Sequence, residues 1–357
     1  MVTIKDVAKK CNVSIATVSN ILSGKPNASE ETRKRVLEAV RELNYTPNYV
    51  AKNLKMKTTK TIGVIVEDMT VFCAPEIIDG ITQYSEENGY HILLTNLRLY
   101  KKYSDIYYQN DQFSDVVHRE VKELLSKQVD GIIYVTAHER ILRCLPENLN
   151  IPAVMAYGYS KSSKIPSVVA NDFDGGYKIA SYLMEQGHRN IAIIAGKENS
   201  LHTKERLVGH QKAMFQHNVL YNPDDVINED WTREGGYRAA CKLLKKDKDI
   251  TAIICMNDEM AGGVYDCLEE LGLQPGKDVS VVGYDNRQAA SFYRPSLTTF
   301  EIPLFEIGRT ACKCVIDLLK KENDNEDSET QAAKEEDYVE IEVEGQIVVG
   351  KSVKKLG

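Results

Sequence analysis

The 357-residue chain is as informative in what it lacks as in what it has. No apolar run approaches the roughly 18 residues that a membrane span requires, so no membrane association is expected. The first residues, MVTIKDVAKKC, carry charges where a secretory signal would be apolar, which points to a cytoplasmic protein. Eight cysteines, at positions 11, 73, 144, 241, 255, 267, 312 and 314, form no CxxC pair. In a chain of this length they read as reduced thiols and not as a disulfide framework or structural zinc site. No arrangement suggests a Ser/His/Asp or Cys/His nucleophile, and there is no HExxH metal motif. No catalytic residue, metal or cofactor is therefore expected, and the chain does not read as an enzyme. What it does have is 43% hydrophobic residues, which excludes a wholly disordered chain and allows two or three domains with real cores.

The formal net charge of −7 is unevenly placed. Residues 1–60 hold 12 Lys and Arg against 5 Asp and Glu, a net +7, and the remainder holds 33 basic and 47 acidic residues, a net −14. A cationic head on an anionic body suggests that only the head meets a polyanion.

The head contains three short helical patterns. Thr3 can cap the first, with Asp6 as the reciprocal acid and Ile4, Val7 and Ala8 on one face. Ser14 offers a cap for a second helix, Ile15 to Leu22, and Ser29 opens a third through Leu43 with Val36, Leu37, Val40 and Leu43 as its apolar stripe. Two short helices, a tight turn and a supporting helix describe a helix-turn-helix DNA reader. Its crossing needs a small residue, a turn residue tolerant of left-handed geometry and a β-branched plug, supplied here by Ala8, Asn12 and Val18. In that geometry Ile15, Ala16 and Asn20 lie nearest base edges, where Asn can pair with adenine and the apolar pair can meet thymine methyls. Ser14, Thr17, Ser19, Ser29 and Thr32 are candidate phosphate partners. Each also reads as a cap or a solvated surface residue.

The stretch VTIKDVAKKCNVSIATVSNILSGKPNASEETRKRVLEAVRELNYTPNYVAKNLK resembles the amino terminus of the LacI/GalR family of bacterial transcription regulators. Asn12 stands where most members have Gly, and Asn20 where many have Arg. The resemblance implies a homodimer on a near-palindromic operator, with Thr3, Tyr45 and Asn48 completing the DNA-binding set. It also implies a hinge helix near residues 48–55 whose Leu54 wedges into the minor groove, the kind of apolar insertion that kinks DNA.

From Thr61 onward short β-rich runs such as TIGVIV (61–66), GIIYV (131–135) and NIAIIA (190–195) alternate with amphipathic stretches. That alternation predicts α/β architecture with parallel sheets covered by helices. Ligands in such folds bind beyond the carboxyl ends of strands, where the polar residues Glu67-Asp68, Thr136 to His138, Asn257-Asp258 and Asp285-Asn286 stand. GHRNIAIIAG (187–196), ERLVGHQKAM (205–214), TAIICMNDEMAGGVYDCLEELGL (251–273), DVSVVGYDN (278–286) and RPSLTTFEIPLFEIG (294–308) extend the family resemblance over this body. They imply the two-lobed, class I periplasmic-binding-protein-like effector domain, in which the chain crosses between lobes three times.

The resemblance divides the chain into a helix-turn-helix domain (1–46), a hinge and linker (47–60), a first lobe (61–160 plus 300–322) and a second lobe (161–299 plus 323–357). It places an effector, a sugar or sugar derivative by first choice and a purine or nucleoside as the alternative, against Asp68, Phe72, Asp174, Arg206, Trp231, Asn257 and Asp285. Carboxylates and Arg give directional bonds to hydroxyls, and an aromatic face gives apolar contact. Arg206 and Asp285 also read as a buried interlobe pair, Trp231 as core and Asp174 as a helix cap.

Three stretches stand apart. The tyrosine-rich 97–114 reads by default as an ordinary loop, with a cover over the cleft or a dimer contact as alternatives. Residues 322–344, with 11 acids and one Lys, read as a solvated insertion before the last strands. Gly345 to Ser352 satisfies the phosphate-loop pattern GxxxxGK[ST], but its β-branched residues read as a terminal strand with no helix to follow. An NTPase, a cleft hydrolase built on Asp68 and Asp285, and an exported binding protein are the competing readings; the strand-like phosphate-loop match disfavours the first, the absence of a general acid–base pair the second, and the basic head without an export signal the third.

Overall fold

The computed structural model describes residues 2–45, 58–104, 107, 113–146, 148–246, 249–326 and 340–356. It divides into two compact units, Met1–Thr59 and Lys60–Gly357. The expected hinge helix, with Asn48 and Leu54, lies outside the described residues.

In the first unit three helices span Ile4–Lys10, Ile15–Leu22 and Glu30–Glu42. Each begins where a side chain takes over an orphan backbone donor. The Thr3 amide and hydroxyl donate to the Asp6 carboxylate at 2.8 and 2.7 Å. Ser14 Oγ accepts from the Thr17 amide at 3.0 Å, and Ser29 Oγ from the Thr32 amide at 3.3 Å. Asn12 adopts a φ of 50°, the left-handed geometry that the turn demands. Val7, Ala8, Cys11, Val18, Ile21, Val36 and Ala39 close the small core. Leu37 is exposed and does not belong to the buried stripe expected for it. Ala39, three positions after Val36 and hence on the same helix face, takes that place.

The second unit contains two six-stranded sheets. From edge to edge the first comprises His91–Asn96, Thr61–Val66, Gly131–Val135, Ala153–Ala156, Ser167–Ala170 and Ile341–Val343, all parallel. The second comprises Val226–Asn228, Ile191–Ala195, Ala252–Cys255, Ser280–Asp285, Thr298–Glu301 and Gln346–Val348, parallel except for the last. Central strands are buried along their whole length because helices cover both faces, which explains their unbroken runs of Ile, Val and Ala.

Sheet membership locates the three crossings between lobes. Ser167–Ala170 pairs with Ala153–Ala156, so the first crossing falls at Asn171 and not at residue 160. The second lies between Glu301 and the helix Leu304–Glu326, so Thr298–Glu301 completes the second lobe. Ile341–Val343 joins the first sheet, so the segment 323–357 is shared between lobes and does not belong wholly to the second.

Gly345 to Ser352 contributes the strand Gln346–Val348 and opens no helix. The Ser352 hydroxyl is buried, donating to the Val281 carbonyl at 2.6 Å and accepting from the Thr298 amide at 2.8 Å, so it is not a phosphate ligand.

The helices Ala74–Glu87 and Leu304–Glu326 of the first lobe pack backbone to backbone. Gly80 sits against Phe305 and Arg309, and Gly308 against Ile77, with no room for a side chain at either. Gly308→Val should therefore destabilise the two-lobed unit by about 2 kcal/mol through overpacking. Urea unfolding followed by far-UV circular dichroism checks this, and an unchanged midpoint would contradict the close approach.

Candidate functional site

In the head, the start of the helix Ile15–Leu22 presents Ile15 at 44% exposure, an unusual position for a large aliphatic side chain, beside exposed Ala16. Ser19 is exposed and Thr17 and Asn20 are half-exposed, so the candidate base and phosphate contacts are within reach of a partner. Ser14 and Thr17 share a hydroxyl bond of 2.8 Å, and Ser29 and Thr32 one of 2.9 Å. Each pair therefore caps its helix while remaining on the surface. Tyr45 packs against the head's core, and Thr3 is exposed on the first helix's cap.

The second unit has an ionic centre where the lobes meet. Arg206, on the helix Leu201–Gln216, is 2% exposed. Its Nε donates to Asp172 at 2.7 Å and its Nη1 to the Met256 carbonyl at 2.5 Å, while its guanidinium lies 3.6 Å from the Tyr284 ring centroid. Tyr284 also donates to Asp172, at 3.0 Å. His202 Nδ1 meets the other Asp172 oxygen at 2.5 Å and lies 3.7 Å from Glu139. Burial opposes the charge on Asp172, but Arg206 and His202 hold its carboxyl well below the ordinary range. Burial, reinforced by Asp172, pushes Glu139 well above it. Glu139, Asp172 and His202 bring ligand-type atoms within 4.8 Å of one another, but the guanidinium bonded to Asp172 disfavours a metal ion among them.

Several expected effector contacts have other work. Asp174 pairs with Lys178 at 2.5 Å, whereas Asp172 reaches Arg206. Residues two apart on a helix differ by roughly 200° in direction, so the two acids of the NDFDGG stretch reach different partners. Asp68 is fully buried within the first lobe, where one oxygen accepts from the Thr70 amide and hydroxyl and the other from the Lys101 amide at 2.9 Å. Asn257 caps the helix Asp258–Glu270 through the Met260 amide at 2.8 Å and donates to the Trp231 carbonyl at 2.9 Å. Trp231 is half-buried 5.9 Å from Arg206, and its indole occupies the space a side chain at Gly196 would fill.

Phe72 and Asp285 do line a common cavity, of about 360 Å³, between the lobes. Its first-lobe wall is Phe72 and Glu76, its second-lobe wall includes Asp258, Asp285, Arg287 and Tyr293, and Leu304 closes it beside the second crossing. Arg287 covers the Phe72 ring at 4.4 Å and pairs with Glu259. Asp285 ends its strand with a φ of 107°, a conformation that non-glycine residues rarely hold and that often marks functional positions. Its carboxylate makes no hydrogen bond or ion pair with any described residue, and burial pushes its pKa well above the ordinary value despite Arg206.

Sequence reasoning missed Asp172, His202, Glu139, Tyr284 and Arg287. Asp172, Glu139, His202 and Arg287 stand in segments that follow strands, a signal shared with many ordinary caps, and Tyr284 lies inside the strand Ser280–Asp285, where it reads as core. The described part of 97–114 is also more than an ordinary loop: Leu97, Leu99 and Tyr107 are buried, and the Tyr107 ring lies 5.4 Å from the Arg140 guanidinium.

Residues 59–335 match the family model described as periplasmic binding proteins and sugar binding domain of LacI family, and residues 3–48 match bacterial regulatory proteins, lacI family. The chain belongs to the LacI family. Over the full length of both chains it is 33% identical to the HTH-type transcriptional repressor PurR of Vibrio campbellii. It is similar to the lac repressor dimer bound to operator and the anti-inducer ONPF, with 26% identity over 99% of each chain and a TM-score of 0.74. A transcriptional regulator CelR–cellobiose complex matches at 25% identity, 99% of this chain and 100% of that one, with a TM-score of 0.63. This LacI-family protein is a DNA-binding transcriptional repressor with an effector-binding domain, and among its described residues no helix is long and apolar enough to cross a membrane.

Asp258 provides a pH test of the cavity wall. It is almost fully buried, accepts from Thr299 at 2.6 Å and from the Arg287 amide at 2.7 Å, and burial raises its pKa to about 7. Between about pH 4 and 7 the folded chain then holds a proton that the unfolded chain has lost, so this group weakens folding as pH rises through that window. Asp258→Asn should flatten the decline in stability, measured by urea unfolding at about pH 5 and 7.5. An unchanged pH slope would contradict the raised pKa.

Proposed function

We propose that this repressor acts in the cytoplasm as a homodimer on a near-palindromic operator and takes a sugar or sugar derivative between its lobes. The observation that carries the effector reading is the strained Asp285 carboxylate, left without a protein partner at an interlobe cavity that also presents the flat face of Phe72. Such a carboxylate accepts directional bonds from hydroxyls, while the aromatic ring covers the apolar C–H face of a sugar. The cavity has walls in both lobes, so a ligand there distinguishes lobe arrangements and thereby shifts operator affinity.

A thermal-shift screen of sugars and purine bases, followed by operator binding with each hit, tests this reading. Asp285→Asn should weaken the hit by about tenfold or more, because the site loses its charged acceptor. A hit that keeps its shift in both Asp285→Asn and Arg206→Lys binds elsewhere and removes the cleft from the account.

The hinge assignment has its own test. Leu54→Ala should lower affinity for operator DNA much more than affinity for random DNA, since only the kinked operator centre accepts the wedge. Equal losses on both, in fluorescence anisotropy at one salt concentration, would refute it.

A further inference from the structure

The charge around the cavity says more about its occupant than the presence of hydroxyl acceptors does. Four carboxylates, Glu76, Asp258, Glu259 and Asp285, line it against the single guanidinium of Arg287, which is already paired with Glu259. Arg206, the nearest further cation, is held by Asp172 and the Met256 carbonyl. Each guanidinium thus already has an acceptor, and the acids on the cavity wall outnumber the one guanidinium there by four to one. Asp258 is satisfied by Thr299 and the Arg287 amide, but Asp285 and Glu76 make no hydrogen bond or ion pair with any described residue. Two unpaired carboxylates thus share one cavity from opposite lobes, with Phe72 and Tyr293 as its aromatic surfaces.

We propose that the effector is a cation: a protonated amine on a sugar or polyol framework, whose ammonium group is received by Asp285 and Glu76. This rests on the reading of the cavity as the effector site. An ammonium group offers three donors and a full charge to acceptors that carry only acceptors, and charge-assisted bonds of this kind are roughly twice as strong as neutral ones. A phosphate or carboxylate on the ligand would instead meet the surplus of acids. Burial raises the pKa of Asp285 against the opposing pull of Arg206 and Arg287, so a cationic group bound beside it would further favour its ionised form. Because the two acids belong to different lobes, a cation between them also draws the lobes together.

Matched ligands test this on the full-length protein: glucosamine with glucose, galactosamine with galactose, mannosamine with mannose, and the 6-phosphate of each neutral sugar. Melting-temperature shifts and calorimetric Kd values at neutral pH are the readouts. At least one amine is expected to bind about tenfold or more tightly than its neutral partner, and the 6-phosphates not at all. Asp285→Asn should erase that preference. Glu76→Gln, at an exposed helix position where folding is not at risk, should reduce it several-fold.

A neutral sugar, a 6-phosphate or adenine that binds as tightly as every amine, or the absence of a shift with any amine, overturns the proposal. Failure of the underlying reading looks different. In that case an amine binds and its affinity is indifferent to both Asp285→Asn and Glu76→Gln, which moves the ligand away from the cavity altogether.

Discussion

A buried guanidinium needs partners to offset the loss of water, and the second unit is organised around one that has acceptors on two of its nitrogens and a tyrosine ring against its face. Arg206 is bonded to Asp172 and the Met256 carbonyl and stacked on Tyr284, so it holds together the first helical turn after the first crossing and the ends of two strands of the second sheet. His202 and Glu139 extend the contact to the first lobe, since Glu139 also accepts from the Ala170 amide at 2.8 Å. The desolvation of so many polar groups is costly, and removing one partner from such a centre is far more destabilising than its presence is stabilising. Its value lies in specificity of arrangement: Asp172 reaches Arg206 only when the crossing at Asn171 is correctly folded, and the lobes then stand with their strand ends facing one another.

A second consequence is that the ionic centre and the cavity divide the polar residues between them. Residues whose side chains are fully engaged, such as Asp68, Asn257 and Asp258, shape the walls and hold Trp231 and the tyrosine-rich segment in place. Residues left unengaged, Asp285 above all, are available to a ligand. The same acids contribute to the net −14 beyond residue 60, which would repel a polyanion from the body. The head's +7 is unaffected by that choice because its own acids, such as Asp6, cap helices locally.

Much of this was legible in the sequence, for physical reasons that differ by element. Helix caps are local, so Thr3, Ser14 and Ser29 announced the three helices of the head, and Asn12 was readable because few residues tolerate its left-handed turn. Fully buried strands show themselves as apolar runs. Helical phase was harder: Leu37 and Ala39, or Asp172 and Asp174, differ by two positions and point in different directions. Short edge strands such as Ile341–Val343, sitting in an acidic stretch, have no core-facing pattern strong enough to reveal which sheet they join. Whether a carboxylate is free or engaged was not legible at all, because the amide that occupies Asp68 comes from Lys101 in a segment of unusual composition.

If the effector occupies this cavity as proposed, the position of the cavity gives binding its leverage. Phe72 and Glu76 belong to the first lobe, Asp285 and Tyr293 to the second, and Leu304 begins the helix that follows the second crossing. A ligand touching all three cannot bind equally well to every arrangement of the lobes, because any rotation about the crossings changes the separation of its partners. Its differential affinity for two arrangements is the only free energy available to shift between them. A pair of charge-assisted contacts, one from each lobe, supplies more of that difference than apolar contact does, because attraction between charges changes steeply over the short distances by which lobes move. By reciprocity, whatever lobe arrangement favours operator binding must alter effector affinity by the same factor.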